Sequence, residues 1–164
     1  MASILEQYQR LAKYPAGKWL FGRLVGLSAP FFSKISPIFI DLRPAYCETQ
    51  MKDKRGVRNH LGTINAGALC SMAEMTGGLA LDTIVPSSMR WIPKTMTVNY
   101  IAKATGTITA VSDFDENMIT SIGDSADVVI PIVVSNAQGQ TCFTADITFY
   151  VSHKPAKRQR ESND

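Results

Sequence analysis

The chain has 164 residues, of which 45% are hydrophobic and 19% are charged, and its formal net charge is +3. This length and composition are typical of one globular domain and exclude a disordered chain. The small positive charge, without a basic face interleaved with aromatic residues, argues against a nucleic-acid-binding protein.

The cysteines and the N-terminal residues indicate the cellular compartment of the protein. Cys47, Cys70 and Cys142 lie in apolar or strand-like segments, and their spacing suits neither a disulfide framework nor a metal site, which indicates thiols in a reducing compartment. The first 14 residues lack the continuous apolar core of a secretory signal. No apolar run reaches the roughly 18 residues that a bilayer span needs. We therefore expect a cytoplasmic protein.

Two helices are predicted at the N-terminus. Ser3 and Glu6 have the spacing of a capping box, so the first helix begins there. A second, strongly apolar helix is predicted over residues 16–27. We expect both helices to pack over the domain or to form part of a ligand-channel wall. Lys18 and Arg23 leave open the alternative that the second helix lies on a membrane surface.

Five strands are predicted around a central helix. In residues 37–52, apolar side chains alternate with polar or larger ones. This two-residue period is typical of a half-buried strand. After a helix breaker at residues 85–88, four more strands are predicted at residues 91–102, 107–114, 126–134 and 141–151. Pro131 predicts that its strand is an edge or contains a bulge. The pattern favours an α+β fold in which an antiparallel sheet curls around one long helix.

The predicted central helix, residues 67–85, is apolar on every side and must therefore be enclosed by other structure. It contains Glu74, whose ionised carboxylate is costly to bury unless it is paired. The alternative is that Glu74 reaches solvent at an edge or pairs with a cation. Gly77 and Gly78 weaken a helix, which predicts close approach of backbone or ligand at that point.

A polar loop leads into this helix. Asn59, Thr63 and Asn65 are short polar residues, and Ala66 and Gly67 are small residues where the unpaired N–H groups of the helix emerge. Those amides and the helix dipole favour a developing negative charge. A carboxylate, side-chain amides and an amide-lined anion site together are the ingredients of acyl-transfer hydrolysis.

The segment Asn59-x-x-Gly62-Thr63-x-Asn65-Ala66-Gly67, followed by Glu74, resembles the central-helix signature of hotdog-fold acyl-CoA thioesterases. That signature usually reads Asn-x-x-Gly-Thr-x-His-Gly-Gly, with an acidic residue nine positions after the His. Here Asn65 stands at the His position and Ala66 at the first Gly. The altered motif, together with the segment from Met89 to Ile92, is most similar to an uncharacterised thioesterase-like branch.

The resemblance spans residues 36–152 and implies a hotdog domain over residues 36–153. Residues 1–35 are then an N-terminal helical extension. Residues 154–164 are a basic and polar tail without large apolar residues, for which we expect disorder.

Together, the residues and the resemblance predict that the protein hydrolyses an acyl-CoA or acyl-carrier thioester. Glu74 is the predicted general base or nucleophile, and the two routes stay open. The N–H groups of Ala66 and Gly67 are predicted to bind the thioester oxygen. Asn59 and Asn65 are predicted to hold the water or the carbonyl group.

The resemblance adds three implications. Thr95 corresponds to a position that in some hotdog thioesterases orients the attacking water. A homodimer or a dimer of dimers is implied, with the anion-binding loop from one subunit and the carboxylate from the other. No cofactor is implied beyond coenzyme A as part of the substrate.

Several interpretations stay open beside this one. The four cations of residues 52–58 would receive a phosphate-bearing substrate such as coenzyme A, or simply form a solvated loop. His60 is a loop residue or a proton relay. Because Asn65 removes a titratable group, the chain is alternatively a non-catalytic module that binds an acyl chain or acyl carrier. A hotdog hydratase or dehydratase is disfavoured, since the required Asp and His pair is missing from the loop.

Overall fold

The computed structural model describes residues 2–119 and 122–155. The described residues form three α-helices and six strands. The helices are α1 (Ile4–Leu11), α2 (Gly17–Ser28) and α3 (Ala66–Asp82), and short 3-10 turns cover Pro30–Lys34, Arg55–Val57 and Glu116–Ile119. The strands are β1 (Ile38–Arg43), β2 (Tyr46–Met51), β3 (Met89–Tyr100), β4 (Ile108–Asp113), β5 (Ser125–Ser135) and β6 (Thr141–His153).

The six strands form one antiparallel sheet in the order β1-β2-β4-β5-β6-β3, so β1 and β3 are its edges. The central helix α3 packs against β2, β4, β5 and β6, and it buries residues on all sides. The predicted α+β fold, in which an antiparallel sheet encloses one long helix, is confirmed.

The prediction of a single strand over residues 37–52 was wrong. The structure has a hairpin there, in which Leu42 of β1 lies opposite Cys47 of β2 and Arg43 lies opposite Tyr46. The turn places Ala45 at a positive φ of 54°, and its N–H donates to the hydroxyl of Thr83 at 3.0 Å. Because both arms keep the two-residue period, the periodicity did not reveal the break.

The prediction that Pro131 marks an edge or a bulge is confirmed locally. Although β5 is an interior strand of the sheet, its register is irregular at Val134 and Ser135, and Pro131 lies opposite Asp146 of β6. The ladder between β4 and β5 ends at Val111 and Val133, before it reaches the proline, and the hydroxyl of Ser112 donates to the Pro131 carbonyl at 3.0 Å. In an antiparallel sheet, the N–H and C=O groups of one residue point toward the same neighbouring strand. The Pro131 carbonyl points toward β4, where the ladder has already ended. The missing N–H of the proline therefore removes no ladder hydrogen bond.

Gly77 and Gly78 of α3 have close neighbours, which are side chains rather than the predicted backbone or ligand. A Cβ atom at Gly77 would lie 2.9 Å from Cδ1 of Ile132, and one at Gly78 would lie 2.8 Å from the indole ring of Trp91. The indole N–H of Trp91 donates to Asp82 at 2.9 Å. The sheet therefore presses directly onto the backbone of α3 at this point.

The N-terminal helices pack against β1. Ser3 and Glu6 form the predicted capping box at the start of α1. Tyr8 and Phe21 contact each other edge to face, as do Phe21 and Phe39 of β1. In the part of the chain that the structure describes, none of the helices has the length and apolar character needed to cross a bilayer. The predicted disorder of the tail falls mainly on residues 156–164, which lie outside the described residues.

Candidate functional site

Glu74 lies on α3 and is half-buried. It lines a cavity of about 220 Å³ between α3 and the N-terminal helices, whose other walls are mostly apolar. These walls include Phe21, Leu24, Val25, Phe32, Met75, Leu79 and Trp91. Glu74 forms no hydrogen bond or ion pair with another described residue. A carboxylate with unused acceptor atoms therefore faces a space suited to a hydrocarbon chain.

Asn59 builds the loop that precedes α3. Its side-chain oxygen accepts hydrogen bonds from the N–H groups of Leu61 at 2.9 Å and Thr63 at 3.2 Å. Its side-chain amide donates to the Thr63 hydroxyl at 2.9 Å. Since both ends of the Asn59 side chain are engaged within the loop, this residue fixes the loop's shape.

Asn65 caps the N-terminus of α3. Its side-chain oxygen accepts a hydrogen bond from the Gly67 N–H at 2.7 Å, which is the usual role of Asn at this position. The side-chain NH2 of Asn65 and the N–H of Ala66 donate to no other described residue, and both residues are exposed. The helix start therefore offers these two donors to a ligand, whereas the amide of Gly67 is already engaged.

A second cavity, of about 320 Å³, lies beside this loop. Its walls include Asn59, Thr63, Ala66 and the end of β3 at Tyr100. The Tyr100 hydroxyl lies 3.5 Å from the Cys70 thiol. The contact with Cys70 raises the pKa of Tyr100 to about 12, although a tyrosine hydroxyl is already protonated at neutral pH at its ordinary pKa of about 10.

Tyr100 is a site residue that the sequence did not reveal. Strand aromatics are common, and the contact with Cys70 joins residues 30 positions apart. No motif or local spacing distinguishes Tyr100 from the other tyrosines.

One copy of the chain does not bring the two halves of the predicted site together. Ala66 lies at the start of α3, and Glu74 follows eight residues later, which corresponds to about 12 Å along a helix. The two residues line different cavities. Thr95 lines neither of them and is exposed on the edge strand β3, opposite Thr148. His60 is also exposed.

The basic loop before the motif is anchored by one ion pair. Arg58 and Asp53 are 2.6 Å apart, and Asp53 also accepts a hydrogen bond from the Gly106 N–H at 3.1 Å. These contacts hold the pKa of Asp53 below its usual range, chiefly through the hydrogen bond from Arg58. Lys52 and Lys54 line another cavity, between β2 and α2.

The family can be assigned from a comparison with protein-family models. The model described as "Domain of unknown function (DUF4442)" matches residues 17–151, from the start of α2 almost to the end of β6. The chain belongs to the DUF4442 family. No curated protein matches it.

Solved structures show the same fold as the DUF4442 chain. A structural-genomics crystal structure is 39% identical, with a TM-score of 0.77 over 92% of this chain and 97% of that chain. A Pseudomonas aeruginosa protein of unknown function, described as a "probable thioesterase", is 23% identical, with a TM-score of 0.75 over 86% and 97% of the two chains. A thioesterase from Haemophilus influenzae is 16% identical, with a TM-score of 0.70 over 84% and 92%.

These similarities agree with the resemblance found in the motif. The two structures described as thioesterases share the fold of the DUF4442 chain at low sequence identity. The DUF4442 chain therefore has the hotdog fold.

Proposed function

We propose that this protein hydrolyses an acyl thioester, with Glu74 as the general base or the nucleophile. The observation that carries this proposal is the position of Glu74 in an otherwise largely apolar cavity. An apolar wall with few polar groups suits an acyl chain. A carboxylate at such a wall is able to activate a water molecule as a general base, or to attack the carbonyl as a nucleophile.

The start of α3 would bind the thioester oxygen. The N–H of Ala66 and the side-chain NH2 of Asn65 are its two donors without a partner in the described chain. In this arrangement the Gly67 N–H does not contact the substrate. It holds the side-chain oxygen of Asn65 and so aims the NH2 group. Donors fixed before the reaction stabilise the charge that develops on the oxygen.

The complete site requires a second copy of the chain. Glu74 and Ala66 line separate cavities in one protomer, so the carboxylate of one subunit would face the α3 start of another. The edge strand β3 is suited to such an interface, because it is 12 residues long and its outer edge pairs with no described strand. We therefore propose a homodimer, or a dimer of dimers built from two such homodimers.

Three further residues support this site. Asn59 would act by holding the loop rather than by touching the substrate, since its side chain is engaged in the loop. Tyr100 would donate a hydrogen bond within the loop cavity. Thr95 stands on β3 and would orient the attacking water only if the second subunit brings it to Glu74.

The proposed substrate is an acyl-CoA or an acyl-carrier thioester, and no cofactor is proposed beyond coenzyme A as part of the substrate. The basic loop of residues 52–58 supports a phosphate-bearing carrier. Arg58 is held by Asp53, whereas Arg55 is exposed and forms no ion pair with a described residue.

The decisive experiment compares Glu74→Gln with the wild type on short, long and aromatic acyl-CoA esters, with thiol release as the readout. We expect Glu74→Gln to lose about 100-fold or more in kcat, the range typical of a general base, while the mass in solution is unchanged. Glu116→Gln is the matched control, because Glu116 lies on an exposed turn away from both cavities. Equal turnover by wild type and Glu74→Gln would refute the proposal.

A non-catalytic acyl-binding module is the second candidate. It is favoured by one observation, the engagement of the Gly67 amide by Asn65, which leaves one backbone donor where the thioesterase signature offers two. Tight binding of acyl-CoA by the wild type without thiol release from any ester would select this candidate.

A further inference from the structure

The N-terminal helices expose large apolar side chains on their outer face. Trp19, Leu27 and Phe31 are 58%, 75% and 71% exposed, and Leu20 and Leu24 are exposed beside them. All five lie on α2 or on the 3-10 turn that follows it. A group of exposed large apolar residues on one surface usually marks a contact site. We call this group the α2 face.

The α2 face is surrounded by positive charge. Residues 1–35 contain five basic residues and one acidic residue. The basic residues are Arg10, Lys13, Lys18, Arg23 and Lys34. None of them forms an ion pair with a described residue, but the Lys18 ammonium donates a hydrogen bond to the Ile40 carbonyl of β1. The single acidic residue, Glu6, is engaged with the N–H of Ser3 in the capping box of α1. The other four basic residues have no carboxylate partner among the described residues.

Two grooves open on this surface, and both combine apolar walls with cations. The larger, of about 570 Å³, is lined by Trp19, Leu27, Arg23 and the two lysines that follow β2, Lys52 and Lys54. The smaller, of about 490 Å³, is lined by Arg10, Lys13, Leu11, Tyr14 and Leu24. Neither lining contains a carboxylate. Such grooves complement amphiphiles that carry an anionic headgroup and hydrocarbon chains.

We propose that the α2 face docks on an anionic lipid membrane. A helix with exposed aromatic and leucine side chains flanked by Lys and Arg is the arrangement that lies in a membrane interface. Clustered cations add attraction to negatively charged headgroups. The charge is what selects this partner, because a second copy docked through the same face would bring Arg10, Lys13 and Arg23 against like charges.

Docking would also bring the proposed active site close to acyl thioesters whose hydrocarbon chains lie in the membrane. Leu24 and Gln7 line both the smaller outer groove and the cavity that contains Glu74, so they form the partition between the two. This consequence rests on the proposed function, since it assumes that Glu74 acts on an acyl group. The docking itself does not depend on catalysis.

The test is cosedimentation of the full chain with vesicles of phosphatidylcholine, with and without phosphatidylglycerol. We expect the wild type to partition onto the anionic vesicles at least about tenfold more strongly than onto the neutral ones, and high salt to reduce this difference. Leu27→Glu and, separately, Phe31→Glu are expected to weaken binding to anionic vesicles about tenfold. Lys13→Gln combined with Lys34→Gln should weaken it while leaving the apolar residues in place.

Val129→Glu is the matched control, because Val129 is an apolar residue that is 50% exposed on β5, away from the α2 face. It should bind vesicles like the wild type. Equal binding to neutral and anionic vesicles, or an equal loss in Val129→Glu and Leu27→Glu, would overturn the proposal. So would a fall in molecular mass for Leu27→Glu without any vesicle binding by the wild type, which would assign the face to a second copy. Hydrolysis of a soluble short-chain acyl-CoA without vesicles tests the proposed function separately.

Discussion

The side-chain oxygen of Asn65 accepts a hydrogen bond from the Gly67 N–H at 2.7 Å. This bond ties together two residues that the motif analysis assigned to the substrate. It caps α3, and it also determines which donors at the helix start remain available. Capping and catalysis are therefore combined in one side chain, and a suitable pair of variants separates them.

Asn65→Asp keeps an acceptor for the Gly67 amide but replaces the NH2 group with a second oxygen. We expect the thermal midpoint of unfolding to stay within a few degrees of the wild type, because Asp caps a helix about as well as Asn. We expect kcat/KM for acyl-CoA hydrolysis to fall about 100-fold, since one donor to the thioester oxygen is lost. Asn65→Ala should lose activity and also about 1 kcal/mol of stability. Full activity in Asn65→Asp would exclude the NH2 group from the site.

Thr76 of α3 and Thr49 of β2 share a buried hydrogen bond of 2.6 Å between their hydroxyl groups. Thr76 also donates to the Met72 carbonyl at 2.8 Å, so Thr49 is the donor in the shared bond. Thr76→Val would leave the Thr49 hydroxyl without that partner. We expect a loss of about 1–3 kcal/mol in the free energy of unfolding, measured with urea.

The double variant Thr49→Val/Thr76→Val is the control for that prediction. Replacing both partners with apolar groups of the same shape is nearly neutral, so the double variant should regain most of the lost stability. A double variant that is less stable than Thr76→Val alone would show that the cost comes from packing instead.

The sequence predicted the features that depend on neighbouring residues. The capping box of Ser3 and Glu6 acts over one helical turn, and the enclosure of α3 follows from apolar residues on every side. Features that depend on distant contacts were missed. Nothing near Tyr100 in the sequence indicates Cys70, and the turn at Ala45 was hidden because alternation continues through both arms of the hairpin.

The site shows the same division. The sequence identified Glu74 as an acidic residue in an enclosed helix, but the cavity beside it is made by α1 and α2, more than 40 residues earlier in the chain. Ala66 and Gly67 looked equivalent because both amides lie at a helix start. They differ only through the rotamer of Asn65, which residue type alone does not determine.

Gly78 provides a test of how tightly α3 is enclosed. A Cβ atom there would lie 2.8 Å from the indole ring of Trp91, and the ring is held by its hydrogen bond to Asp82. Gly78→Ala should gain about 1 kcal/mol from helix propensity but lose more through overpacking, which typically costs 1–3 kcal/mol. We expect a small net loss of stability by urea unfolding. Trp91 also lines the Glu74 cavity, so KM for long acyl chains should rise.

Gly123→Ala is a control for that variant, since a Cβ atom at Gly123 would meet no other atom within 4 Å. It should leave both stability and KM close to wild type. A net gain of stability in Gly78→Ala, with an unchanged KM, would mean that the indole ring moves aside without cost.

The ion pair of Asp53 and Arg58 makes stability depend on pH. The pKa of Asp53 is lowered in the folded chain, first by the hydrogen bond from Arg58. Its stabilisation is therefore fully present above the unfolded-state pKa of about 3.9 and is lost as the pH falls through the lower, folded-state pKa. Asp53→Asn should be less stable than the wild type in urea at pH 7, and the difference should shrink below about pH 4.

Asp113→Asn is the control, because Asp113 is exposed and forms no ion pair or hydrogen bond through its side chain with a described residue. If the deficit of Asp53→Asn were as large at pH 3 as at pH 7, the charge of Asp53 would not be its source.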